Sequence, residues 1–214
     1  TGIIFQIYKG YYDFQIGLYI YELIVLNLIY YVIWALLSFF VQTLIPNPYL
    51  GLFVMIVLLI GIPLTSIAGI EQSIFKYNQG PGFSYSDMNG YGSRLQNYFV
   101  YKFYWLSLGI VFYILTILFY NRGLTSGIAE KFKIAKSRFN GKNPFFLSLF
   151  TLLFISVGGY IYYVNNILNV RKSAKEREIE TVEWEKKYKK FESYSQPRIV
   201  SVNVNVDLFP KSRN

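Results

Sequence analysis

Long uncharged stretches alternate with short charged ones along this chain. From Leu23 to Ile70 no charged residue occurs; Phe103 to Asn121 lies uncharged between Lys102 and Arg122, and Asn143 to Val170 between Lys142 and Arg171. A helix crossing a bilayer needs about 20 apolar residues to cover about 30 Å of hydrocarbon. The first run is twice that length and is interrupted by Ile45-Pro46-Asn47-Pro48, so it divides into two helices joined by a tight turn, with Pro48 suited to a first helical position. The pattern predicts an all-α integral membrane protein with four transmembrane helices, over about 23–44, 49–70, 98–120 and 144–168. Asn27 is the one strongly polar residue inside the first span, a group expected to face another helix. Gly61-Ile62-Pro63 in the second predicts a kink, with Thr65 and Ser66 placed to satisfy freed carbonyls. In the fourth, Ser156, Gly158 and Gly159 offer a flat face for close helix contact.

The flanking segments read differently. Residues 1–22 are apolar and aromatic but broken by Lys9, Gly10, Asp13, Gly17 and Glu22, which fits either an interfacial or connecting helix or an extension of the first span. Residues 71–97 are a polar connection with the turn signals Gly80-Pro81-Gly82 and Asn89-Gly90-Tyr91-Gly92; a plain connector is favoured over a lid. Residues 171–195 alternate in charge, with Glu183/Lys187 and Glu185/Lys189 four apart and Trp184, Tyr188 and Phe191 on one narrow stripe, which predicts a charged juxtamembrane helix. Beyond Pro197 strict alternation sets in. Val200, Val202, Val204, Val206 and Leu208 share one face, and Ser201, Asn203, Asn205 and Asp207 the other, the period of a half-buried strand. A lone strand is not stable, so residues 198–214 are expected to open a β-sandwich domain that continues past Asn214. The start at Thr1-Gly2-Ile3, without an initiator Met or a signal-peptide pattern, fits a piece of a longer protein.

Composition sharpens this picture. The 214 residues are 53% hydrophobic and 20% aromatic, with a mean hydropathy of +0.31, and an uncharged run of 28 residues has no rationale in a soluble helical domain. Neither cysteine nor histidine occurs, which removes disulfides, thiolate and histidine zinc sites, Ser-His-Asp triads and histidine bases. The net charge of +9 sits mostly beside the spans, where basic residues set topology or meet anionic lipid, and is not read as nucleic-acid affinity. Segment 122–142 carries Arg122, Lys131, Lys133, Lys136, Arg138 and Lys142 against Glu130, a net of +5. The positive-inside rule places it in the cytoplasm and the C-terminal tail on the opposite side, although Arg171, Lys172, Lys175 and Arg177 also hug the membrane. Catalytic patterns for phosphate, zinc-protease or serine-hydrolase chemistry are missing. Glu22, at the edge of a span, is read as an interfacial carboxylate ahead of a proton relay, and Asp87, near Arg94, as a turn-stabilising residue. No catalytic, cofactor-binding or metal residues are assigned.

Four pieces of the chain carry a resemblance: Ser86-Asp87-Met88-Asn89-Gly90-Tyr91-Gly92 before a span, Val164-Asn165-Asn166-Ile167-Leu168-Asn169 leaving one, Lys175-Glu176-Arg177-Glu178 with Tyr188-Lys189-Lys190-Phe191, and the closing segment Pro197 to Pro210. In this order they resemble a group of large bacterial membrane proteins, typical of Bacteroidetes, in which an ABC-type export permease region is fused to a C-terminal zinc aminopeptidase of the alanyl aminopeptidase-like class. The resemblance implies that this chain holds the end of the membrane region and the start of the peptidase domain. It also implies residence in the bacterial inner membrane, a separate ATPase subunit as partner beside lipid and the protein's other membrane helices, and zinc in the downstream domain. The zinc ligands and catalytic Glu of that class belong to the downstream part and map to no position here. The rival expectation is a passive membrane anchor presenting the following domain.

Overall fold

A computed structural model describes residues 2–86, 88–121, 127–169, 172–194 and 198–206. Two compact units are present, residues 1–171 and 172–214.

In the first unit a short helix, α1 (Gly2–Tyr8), ends at Gly10, whose positive φ of 76° turns the chain away. The long helix α2 (Ile16–Leu44) follows, so residues 16–22 extend the predicted first span by about two turns. Its segment Tyr21–Asn27 is π-helical. There the Asn27 side-chain amide donates to the Glu22 carbonyl of its own helix at 2.9 Å and is exposed, so it does not face a neighbouring helix as expected; the amide is satisfied within its own helix. α3 (Pro48–Leu64) starts as the sequence dictates, with Pro48 in the first turn and Asn47 accepting from the Tyr49 and Leu50 N–H groups at 2.9 and 3.4 Å. It stops six residues before the expected end at Ile70. Pro63 is its penultimate residue and terminates the helix rather than kinking it, while Thr65 and Ser66 hydroxyls donate to the Ile62 and Pro63 carbonyls at 2.6 and 3.2 Å. α4 (Arg94–Phe119), α5 (Ile128–Arg138) and α6 (Asn143–Leu168, π-helical from Val164) complete the unit.

Three of these helices, α2, α4 and α6, are long and apolar enough to cross a membrane; α3, with 17 residues, is shorter. The chain is a mainly helical membrane protein. α2 and α4 run parallel: Tyr98 donates to the Leu26 carbonyl at 2.6 Å, and Phe40 stacks on Phe112 at 5.0 Å farther along. A Cβ on Gly109 would stand 2.9 Å from Leu36 Cδ1, so this glycine sets the close approach. α6 runs antiparallel to α4, with Tyr104 stacked on Phe154 at 4.5 Å and its ring 2.9 Å from where a Gly158 Cβ would stand. Of the expected flat face, Gly158 makes this contact, whereas Gly159 meets nothing and Ser156 is exposed. α3 folds back on α2 at Gly51, whose missing Cβ leaves room for the Gln42 amide.

The second unit is a charged helix, α7 (Ala174–Tyr188), prolonged by one 3₁₀ turn to Phe191. A capping box opens it: Ser173 accepts from the Glu176 N–H, and the Glu176 carboxylate accepts from the Ser173 N–H at 2.8 Å. The expected stripe forms, Trp184 to Tyr188 at 4.8 Å and Tyr188 to Phe191 at 6.3 Å, and is exposed. Neither Glu183–Lys187 nor Glu185–Lys189 closes to an ion pair; these side chains stay solvated, as exposed pairs gain little by closing. Among the described residues no strand occurs. Residues 198–206 are irregular and exposed, since a single segment finds no edge to pair with; Asp207 and Leu208 lie outside the described residues.

Candidate functional site: a polar plug between two spans

The segment after α3 was expected to be a plain connector. Instead, residues 72–79 turn back between α2 and α4 and reach the middle of both helices, around Tyr30–Trp34 and Lys102–Phe112. Ile74, Lys76, Tyr77 and Asn78 are buried. The Tyr77 ring wedges among Trp34 of α2 and Trp105 and Phe112 of α4, with ring centroids 5.2 to 6.2 Å away, and its hydroxyl donates to the Ile33 carbonyl at 2.8 Å. Non-helical backbone is tolerated at such a place when protein surrounds it and satisfies its polar groups.

Asn78 is the centre of that satisfaction. It is 2% exposed and has φ +59°, the left-handed region that asparagine enters more readily than other side-chain-bearing residues. Its amide donates to the Tyr30 carbonyl of α2 at 2.9 Å. Lys102 of α4, 3% exposed, donates both to the Asn78 side-chain oxygen at 2.7 Å and to its carbonyl at 3.0 Å. The ammonium also lies over the rings of Tyr30 and Tyr98, 4.8 and 5.4 Å from their centroids. Lys102 stands eight residues into α4, about 12 Å along its axis. Further bonds fix the plug's flanks: Trp105 Nε1 donates to the Gln79 carbonyl at 2.7 Å, Gln72 donates to Asn166 of α6 at 2.8 Å, and Lys76 donates to the Ser66 hydroxyl.

Near the start of α2 and α4, Tyr91 donates to Glu22 at 3.0 Å, so Glu22 is held at the rim by a hydroxyl. The Tyr91 pKa is pushed up to about 12, first by desolvation and then by the neighbouring Glu22 carboxylate. Arg94 is the exposed first residue of α4, and Asp87 lies outside the described residues.

The opposite end of the bundle carries the basic helix α5. Lys131 is buried there and donates to the Thr43 and Leu44 carbonyls, the C-terminus of α2, at 2.7 and 3.2 Å. Arg138 donates to the Ile117 and Tyr120 carbonyls at the end of α4. Each cation meets unpaired carbonyls at the negative end of a helix dipole. Part of the predicted +5 is therefore spent as caps, while Lys133 and Lys136 are exposed; Arg122 lies outside the described residues.

Sequence reading missed the Tyr77, Asn78 and Lys102 group. Lys102 was taken as the flank of an uncharged run, although the span drawn from Tyr98 already enclosed it. Among the described residues no cluster of His, Cys, Asp or Glu is arranged to hold a metal ion. The arrangement is a latch: freeing residues 72–79 means breaking the Asn78 bonds to both α2 and α4. No protein-family model, no curated protein and no solved structure matches the chain.

Proposed function

We propose that this chain is the membrane-spanning part of a bacterial export permease of the ABC type, joined to a zinc aminopeptidase-like domain. The observation that carries the permease reading is the Lys102–Asn78 latch on a segment folded back between two spans. A passive anchor needs only greasy helices, and a buried ammonium inside one is a cost without a return. A segment held between spans by polar bonds is an element that can be released when cargo passes. Four crossings fit this reading, since 17 residues reach the lower limit for a span and α3 runs from the α5 end of α2 to the plug. On the positive-inside rule the α5 end is cytoplasmic, in the inner membrane, where a separate ATPase subunit would dock. The alternation from Val200 to Val206 supports a strand that gains partners in the following domain. The peptidase and its zinc rest on the sequence resemblance alone.

The test is a segment exchange in the host cell. Replacing residues 16–168 by an unrelated four-span segment should abolish export while the attached domain stays at the membrane. Normal growth and secretion after that exchange would return the chain to the anchor reading. Affinity purification of the intact protein should also bring down an ATPase, and addition of ATP should drive transport in proteoliposomes.

A further inference from the structure

Two adjoining hollows between α4 and α6 share Val100 and Tyr160 as common walls. The one nearer the start of α4 and the end of α6 measures about 370 Å³; Asn97, Tyr101, Asn165 and Asn169 line it together with Val100, Ile161 and Val164. Asn165 donates to the Tyr101 hydroxyl at 2.6 Å, which orients that hydroxyl. Among the described residues, Asn97 and Asn169 make no side-chain hydrogen bond, which leaves their amides available to a bound molecule. The deeper hollow, about 500 Å³, is walled by Phe99, Phe103 and Val157, with Ser156 at its edge. From Asn97 to Phe103 the helix descends about 9 Å. Asn97, Asn165 and Asn169 thus lie toward one end of the helix pair and Phe103, Val157 and Ser156 toward its middle, with Phe99 and Tyr101 between them, the order in which a bilayer lipid presents its head and then its acyl chains. Among the described residues no charged side chain lines either hollow, in a chain with a net charge of +9.

From this order and this neutrality we infer that the α4–α6 cleft holds one bilayer lipid with an uncharged, hydroxyl-bearing head. The head hydrogen-bonds to Asn97, Tyr101 and Asn169, and one acyl chain lies against Phe103 and Val157. An anionic head would find no cation among the described residues there, whereas amides and a phenol donate and accept equally well toward hydroxyls. The site does not depend on the permease reading, because an anchor could carry it too.

The test uses the whole chain in phosphatidylcholine nanodiscs doped with a galactosyl diacylglycerol bearing a diazirine on one acyl chain. Illumination should label residues 99–103 and 156–160 several-fold more than the lipid-facing Leu52 and Phe53 of α3. Unlabelled galactosyl diacylglycerol should compete and phosphatidylglycerol should not. Ser156→Trp, which fills the deeper hollow from an exposed position, should bring labelling down to the α3 level. Asn97→Leu, on the exposed first turn of α4, should weaken competition by the galactolipid about fivefold, the worth of one neutral hydrogen bond. Equal labelling of all lipid-facing helices, equal or better competition by phosphatidylglycerol, or full labelling in a folded Ser156→Trp protein would each overturn the site. Because these readouts involve neither export nor an ATPase, their failure leaves the permease proposal standing, and the reverse holds.

Discussion

At the plug end of the bundle a lysine lies inside the protein and bonds to a loop; at the α5 end a lysine and an arginine reach across the ends of helices. Lys102 meets one side-chain oxygen and one carbonyl of a residue in left-handed conformation, with tyrosine rings covering its charge. Lys131 and Arg138 meet carbonyls that helix geometry leaves vacant. The second arrangement costs little, because a cation at a helix C-terminus meets the negative end of the dipole; Arg138 is exposed, and the buried Lys131 donates to two carbonyls there. The first places an ammonium where it depends on each of its partners. Identical chemistry thus gives a brace at one end and a catch at the other.

Substitutions can break that contrast. Asn78→Gly keeps the positive φ comfortable but removes the side chain that joins α2 to α4. It should lower the unfolding free energy in mild detergent by about 3 kcal/mol, as expected for hydrogen bonds to a charged group. A change no larger than that of a cap mutant would erase the distinction between catch and brace. Gly158→Leu, which drives a side chain into the buried Tyr104 ring, should cost about 2 kcal/mol by overpacking and show as a fall in Tm. Lys131→Met should cost about 1 kcal/mol, the usual worth of a helix-end cation, with faster hydrogen exchange confined to the last turn of α2.

The smallest effect belongs to the exposed capping box. Bonds from the Ser173 backbone and side chain hold the Glu176 carboxyl below its ordinary pKa. Because the folded value is depressed, the stabilisation is present above the ordinary carboxylate pKa and fades as pH falls through the folded one. Circular dichroism on acidification should therefore report slight fraying of α7, and Glu176→Gln should remove that pH dependence.

How legible this was depends on distance along the chain. The uncharged runs around residues 28–44 and 144–168, and the Asn47-Pro48 helix start, follow from neighbouring residues and local rules. The beginning of α2 at Ile16 was harder to read because Gly17 and Glu22 look like punctuation, and only Tyr91, 69 positions away, shows how Glu22 is accommodated. The plug was illegible for the same reason. Asn78 finds Tyr30 and Lys102 at separations of 48 and 24 residues, which no local period reports. In residues 198–206 the period is plain, but strand formation requires partners that this chain's described residues do not supply.

Lys131 and Arg138 sit about two turns apart on one short helix, and each grips a different span. That yoke ties α2 and α4 together at their far ends, so the two helices can part only away from it, hinged about α5. Any opening must then show itself as a gap widening from the Tyr77 side, which spin labels placed on Tyr31 and Phe103 would register as a growing separation.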